Sequence, residues 1–211
     1  MKLGSKISIL LLAICQNAWA QGFANLDFES ARSVFNGYQL SVTDAFPSWT
    51  VVAPFVAHDD ISLSGGSISI FDTNPPPSMM PIQGKYFVEL VGSGPNPNYG
   101  PISLGQIGQI PVGTQSVSYW GIDEGMQITF AGQPLTFVET GSTANYSIYA
   151  AEISAYAGQT GQLLFTASPG SGGFLDNIQF SSSPIPEPSA LALAALGALV
   201  LGLGYKRSSR A

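Results

Sequence analysis

Hydrolytic chemistry begins from a nucleophile beside a base or from two carboxylates facing each other across a cleft, so the titratable residues come first. His58 is the chain's only histidine, which rules out a site with several histidine ligands within one copy. It adjoins Asp59 and Asp60, a composition suited to a general base with its orienting acid or to a cation site. Neighbours on a strand point to opposite faces, so His58 and Asp59 would not converge, and a solvated turn is expected instead. Asp123 and Glu124 raise the carboxylate couple of glycoside hydrolysis, which needs its two groups on opposite sides of a sugar. They are adjacent and precede Gly125, the pattern of a turn. No G-x-S-x-G elbow and no phosphate-binding glycine loop with lysine occurs. No catalytic residue is assigned.

Aromatic rings are the better lead, because exposed Trp and Tyr stack on the apolar faces of sugars while keeping a polar rim. Trp49, Tyr99, Tyr119, Trp120, Tyr146, Tyr149 and Tyr156 are available. Tyr119 and Trp120 are the candidate ligand-binding residues. As neighbours in a strand, one must face the core and the other solvent, and the sequence leaves open which is which.

The elements that must position these rings read as β-strands. Short runs rich in Val, Ile, Phe, Tyr, Thr and Ser recur between clusters of Gly, Pro, Asn and Asp, without sustained helical periodicity. Strands are expected near 25–29, 38–42, 49–55, 61–71 (broken at Gly65–Gly66), 85–91, 102–107, 116–121, 127–130, 135–139, 146–153, 162–166 and 174–180. Ile68 and Ile70 alternate with Ser67 and Ser69, fitting a strand with one buried face. Leu163–Phe165 is more continuously apolar and is expected deeper. Asn74–Ser78 and Gly92–Gly100 carry prolines, which cannot donate to a ladder, and read as loops. The fold class is all-β, a β-sandwich of jelly-roll type.

Both ends of the 211-residue chain read as processing segments. Residues 1–20 have Lys2 and Lys6, then an apolar run from Ile7 to Ile14, then Ala18 and Ala20 around Trp19. This is a signal peptide cut after Ala20. The alternative, a lipoprotein signal at Cys15, meets a bulky Ile14 where a small residue is wanted. Cys15 is the only cysteine and leaves with the signal, so the remaining body, residues 21–183, is expected to fold without disulfides. That body sets two basic residues, Arg32 and Lys85, against twelve acidic ones, a net charge of −10. Nucleic acid and anionic membrane would repel it; cations, neutral glycans and basic partners would not.

Residues 184–211 hold Pro186-Glu187-Pro188, then an uncharged run of small and aliphatic residues from Ala190 to Gly204, then Lys206, Arg207 and Arg210. Ser189 can cap the single hydrophobic helix expected there. At 1.5 Å per residue it reaches only ~25 Å, slightly short of the ~30 Å hydrocarbon core, so marginal or transient spanning of the inner membrane is expected, basic tail inside. Small residues at Ala190, Ala194, Ala198 and Gly202 share one helix face. The three parts in this order resemble the PEP-CTERM sorting signal of Gram-negative bacteria. That resemblance implies export by the secretion machinery, recognition by an exosortase that cuts near the motif, and association with exopolysaccharide, biofilm and extracellular matrix.

The body has a weaker resemblance of its own. Asn25-Leu26-Asp27-Phe28-Glu29 is similar to the opening strand, and Leu175-Asp176-Asn177-Ile178 to the closing strand, of jelly-roll carbohydrate-binding modules. Ala151–Gly158 and Leu163–Phe165 are similar in style to sorted jelly-roll proteins. The resemblance implies a structural Ca²⁺ held by Glu29 and Asp176, with Asp27 a lesser candidate; hard carboxylate oxygens suit that ion. The expected function is a non-enzymatic surface or matrix protein that binds exopolysaccharide or serves as matrix structure. The alternatives are a glycan-active hydrolase or lyase and a protein-binding adhesion module.

Overall fold

The computed structural model describes residues 22–32, 40–54, 56–58, 67–72, 82–92 and 100–185. The signal peptide, the Pro-Glu-Pro motif, the apolar helix and the basic tail therefore lie outside the described residues, as do Asp59, Asp60, Tyr99 and the two proline-rich loops. Among the described residues, no helix is long and apolar enough to cross a membrane.

Among the described residues, twelve strands follow one α-helical turn, Val42–Ala45, and a 3-10 turn, Ser154–Tyr156, lies late in the chain. The strands are β1 (Thr50–Val52), β2 (Val56–His58), β3 (Ser67–Phe71), β4 (Phe87–Val91), β5 (Ile102–Gln109), β6 (Ser116–Glu124), β7 (Gln127–Phe130), β8 (Gln133–Pro134), β9 (Val138–Ser142), β10 (Ser147–Glu152), β11 (Thr160–Ala167) and β12 (Gly172–Ser181). They form a five-stranded sheet, β1-β5-β11-β7-β8, and a seven-stranded sheet, β2-β3-β4-β12-β6-β10-β9. Apart from the parallel β2–β3 pair, the strands pair antiparallel.

The two sheets form a β-sandwich around one core. From the small sheet come Ile102, Leu104, Ile128, Phe130, Leu163 and Phe165; from the large sheet come Ile68, Ile70, Val88, Leu90, Tyr119 and Leu175. Tyr119 meets Phe165 edge-on across the gap, with centroids 6.1 Å apart. Fully burying side chains of this size contributes roughly 1.5–3 kcal/mol each, and a body without cysteines depends on that sum.

Three expectations are corrected. Residues 25–29 form a turn rather than a strand, with left-handed φ at Asn25 (51°) and Phe28 (58°). Polar side chains cause this: Asn25 Oδ1 accepts the Ser30 N–H, Asn25 Nδ2 donates to Pro47 O, and Asp27 Oδ1 accepts the Glu29 N–H. Such local bonds compete with a ladder. Residues from Val42 onward make a helical turn, because its far end drives Ala45 and Phe46 fully into the core. Strand β3 is buried on both faces: Ile68 and Ile70 enter the main core, while Phe71 stacks on Phe87 on the other face, 5.1 Å away. Leu163–Phe165 sits centrally, yet it alternates, with Leu164 only half-buried between two buried neighbours.

Candidate functional site

Two places on the large sheet gather the chemistry-bearing residues, and both begin on β6 and β12. Asp176 pairs with Trp120 across these strands, after which the register shifts before Gln179. The shift comes from Asn177, whose φ of 47° is left-handed, a conformation that asparagine tolerates better than most residues. Past it, Ile178 N–H donates to Leu26 O at 2.9 Å. The closing strand is thereby fastened to the turn that follows the N-terminal segment.

Asp176 is fully buried at this corner. Its Oδ1 accepts the Asn177 N–H at 2.6 Å, and its Oδ2 has no hydrogen-bond partner among the described residues. Burial pushes its carboxyl up to about 8; the backbone N–H groups of Asn177 and Gln83 oppose that rise, and the negative charges of Glu29 and Asp27 add to it. Glu29 reaches the same corner from the turn. Its Oε1 accepts the N–H of Lys85 at 2.6 Å and of Tyr86 at 2.9 Å, fixing the chain just before β4. Gly84 has a left-handed φ of 60°, and a Cβ there would run into the Glu29 carboxylate, so only glycine leaves that group in place. Lys85 does not neutralise Asp176; its ammonium donates to Tyr86 Oη at 2.8 Å, and that bond raises its pKa.

The structure thus brings Glu29 and Asp176 together, with Asp27 close enough to be felt. A buried carboxyl with an orphaned oxygen, next to two more carboxylates, has the chemistry that would suit a hard cation, although the Lys85 ammonium is close enough to Glu29 to be felt. Among the described residues, no three His, Cys, Asp or Glu side chains are gathered tightly enough to ligate a metal by themselves. Carbonyl or water oxygens would have to complete the shell.

The second place is the outer face of the same sheet. Tyr119 turns inward and is fully buried, ringed by Phe137, Tyr149 and Phe165 at 5.2, 5.1 and 6.1 Å. Burial, and then the charge of Asp123, raise its phenol well above the ordinary range. No ligand can reach that ring. Trp120 turns outward, half-buried, and stacks on Tyr146 with centroids 5.3 Å apart and planes 12° from parallel. Ile148 lies opposite Trp120 in the ladder, and Ile122 is exposed one step along. The other rings belong to the core: Trp49 is buried and donates Nε1–H to Asn25 O, while Tyr149 and Tyr156 pack against it.

A cleft of about 240 Å³ opens further along this sheet, lined by Glu89, Val91, Glu124, Ser171, Gly172 and Phe174. Ile122 is Phe174's ladder partner, so the ring shelf and the cleft adjoin. The Asp123–Glu124 pair divides as adjacency requires: Asp123 Oδ1 accepts the N–H groups of Gly125 and Met126, both at 2.9 Å, closing the expected turn, while Glu124 reaches the cleft. His58 ends β2 opposite Ile70. Sequence reasoning listed Tyr146 only among available rings and missed Glu89. Tyr146 is two positions before Ile148, the ladder partner of Trp120, a relation visible only once β6 and β10 are paired.

Comparison with known proteins adds the remaining findings. Residues 184–208 match the PEP-CTERM protein-sorting motif, a signal of exosortase processing, export and cell-surface sorting. No curated protein matches the chain. Among solved structures, TmCBM61 in complex with β-1,4-galactotriose overlaps 76% of this chain and 97% of its own, at 18% identity and a TM-score of 0.38. The K2 cleaved adhesin domain of Lys-gingipain overlaps 77% and 97%, at 16% identity and 0.39. The enzymatically active domain of bacteriophage CBA120 tailspike protein 4 overlaps 68% of this chain and 21% of its own, at 13% identity and 0.38. Overlap at this level carries nothing about ligand or activity.

Proposed function

We propose that this chain is exported across the inner membrane, sorted by an exosortase to the cell surface or extracellular matrix, and works there as a non-enzymatic glycan-binding protein. The observation that carries the export and sorting half is the motif at residues 184–208. The binding half is supported by the outward-facing Trp120–Tyr146 stack, which offers a flat apolar surface on a rigid sheet, the geometry on which a sugar ring can rest. The body's net charge of −10 favours a neutral or cationic polysaccharide over an acidic one.

Glu29 and Asp176 are the residues that would hold a structural Ca²⁺ at the corner. The ion would supply the positive charge that the buried Asp176 carboxyl lacks, and it would join the first turn of the body to its last strand. Its role in this reading is mechanical, replacing the cross-link that a disulfide would give a secreted domain.

The test of binding is retention of residues 21–183 on insoluble or immobilised polysaccharides with calcium present. Retention that falls at least tenfold in Trp120→Ala and Tyr146→Ala, while both variants keep the parent melting temperature within a few degrees, supports the reading. No retention on any glycan favours a purely structural matrix role. A glycan-active hydrolase has one observation on its side, the Glu89 and Glu124 carboxylates lining one cleft; turnover of a polysaccharide that Glu124→Gln abolishes would put it first.

A further inference from the structure

The chain leaves the sandwich at Ser183, and the body holds it up to that residue. Three successive carbonyls are clamped at 2.8 Å each: Ser181 O by Gln115 N–H, Ser182 O by Gln115 Nε2, and Ser183 O by the Ser116 hydroxyl. The sorting motif starts at the next residue, 184. Only the six residues Pro184–Ser189 separate this clamp from the uncharged run beginning at Ala190. Fully extended, six residues reach about 20 Å. The end of the sandwich that carries the clamp therefore cannot stand far from the surface into which that run inserts.

That end differs from the rest of the body. It is built from the turn Pro111–Thr114, closed by Thr114 N–H and Oγ1–H on Pro111 O, and from the segment Ile153–Gln159, which bonds back to Ile110 and Gln115. Neither segment contains Asp, Glu, Lys or Arg; the nearest acid in sequence, Glu152, accepts the Ser154 N–H. At the tip stands Val112, 88% exposed, the most exposed of the large apolar side chains among the described residues. Gly22 bridges to Gln109 here as well, so both described chain ends leave from this side. The opposite end of β6, about 27 Å away along a strand of this length, bears Asp123 and Glu124 and the acidic cleft. In a body with twelve acidic residues against two basic ones, this end carries a single exposed acid, Glu152, opposite Ser116 in the ladder, and its two uncharged turns with an apolar tip at the tether are what a lipid surface accepts.

We infer that, before the sorting segment is cut, this end of the sandwich lies flush on the bilayer with Val112 in the headgroup layer, so that the processing site is presented against the membrane by the body itself. The inference rests on residues 184–208 acting as a membrane-bound sorting segment. Once the segment is removed, one valine is too small an anchor to hold an acidic body on the lipid, and the body is released with its ring shelf free.

The experiment uses the full chain with Val112→Cys or Glu124→Cys, exported in a bacterial host without exosortase and transferred from its membranes into phosphatidylcholine vesicles. Signal removal takes Cys15 with it, so each chain carries one thiol for a fluorescent label, and a fraction of the lipids carries a headgroup nitroxide quencher. Quenching several-fold stronger at position 112 than at position 124 is expected, and a twenty-residue Gly-Ser spacer between Ser183 and Pro184 should bring the two together. A chain that floats with the vesicles yet shows equal quenching at both positions, or quenching at 112 that survives the spacer, overturns the inference alone. A chain that does not float at all overturns the membrane-segment reading and this inference with it.

Discussion

The β5–β11 ladder and the corner around Asp176 are held together by opposite means. Along the ladder, eight consecutive residues from Thr160 to Ala167 pair without interruption with Gln109 to Ile102, and burial alternates so that Leu163, Phe165 and Ala167 enter the core. Its stability comes from apolar area and backbone bonds. At the corner the register breaks after Asp176, three non-glycine residues (Asn25, Phe28, Asn177) take left-handed φ, and a buried carboxyl keeps one oxygen without a partner. Strain of this kind costs roughly 1–3 kcal/mol per residue and persists only where surrounding structure fixes it, typically at functional positions. Regular pairing builds this molecule; the broken pairing is where a buried carboxyl oxygen is left without a partner.

The largest expected effect separates the two regions by pH. With a chelator present, folded Asp176 keeps its proton up to about pH 8, whereas an unfolded aspartate ionises near pH 3.9. The folded state then holds the extra proton, so this contribution is fully present below about pH 4 and is lost as pH rises through 8. The upper bound is ~6 kcal/mol, at 1.36 kcal/mol per unit. Urea denaturation across that window, wild type against Asp176→Asn, reads the difference: the slope should vanish in the variant. An equal slope in both chains would place the corner's carboxyl in contact with solvent.

Next comes a break in the ladder. Phe165→Ala removes a ring that touches Tyr119 and Trp49 and should cost ~3–5 kcal/mol, by the same amount with and without calcium. Calcium itself ranks third: at a concentration a hundredfold above its dissociation constant it should add ~3 kcal/mol, so EDTA should lower the melting temperature by roughly 5–10 °C. Asp176→Ala should remove that response. A melt that ignores EDTA would reduce the corner to an ordinary buried acid.

What the sequence revealed follows the same division. Strands such as Gln127–Phe130 and Ser116–Gly121 were legible because side-chain alternation and flanking turn residues point to one answer, and the large sheet only extends the second of them to Glu124. The acidic partners Glu29 and Asp176 were reached through resemblance, since nothing in the spacing of two residues 147 positions apart says that they meet. The turn at 25–29 was misread as a strand because its apolar Leu26 and Phe28 imitate alternation, while the bonds from Asn25 that override it involve Ser30 and the distant Pro47. Trp120 and Tyr119 had to divide between two faces, but only the sheet pairing decides that the tyrosine goes in. The double burial of β3 was hidden for a related reason, its serines looking solvent-facing until Phe71 and Phe87 stack on their side.

Sorting is the claim on which the rest of the functional reading stands, and a mass measurement reaches it most directly. The chain should be recovered from exosortase-containing cells, from the surface or surrounding matrix, and its intact mass compared with that from cells lacking the enzyme. The account predicts a chain beginning near Gln21 and ending close to Pro186-Glu187-Pro188, with the apolar run and Lys206, Arg207 and Arg210 gone. A chain that keeps those terminal residues in both strains, or that stays in the cytosol, would contradict it.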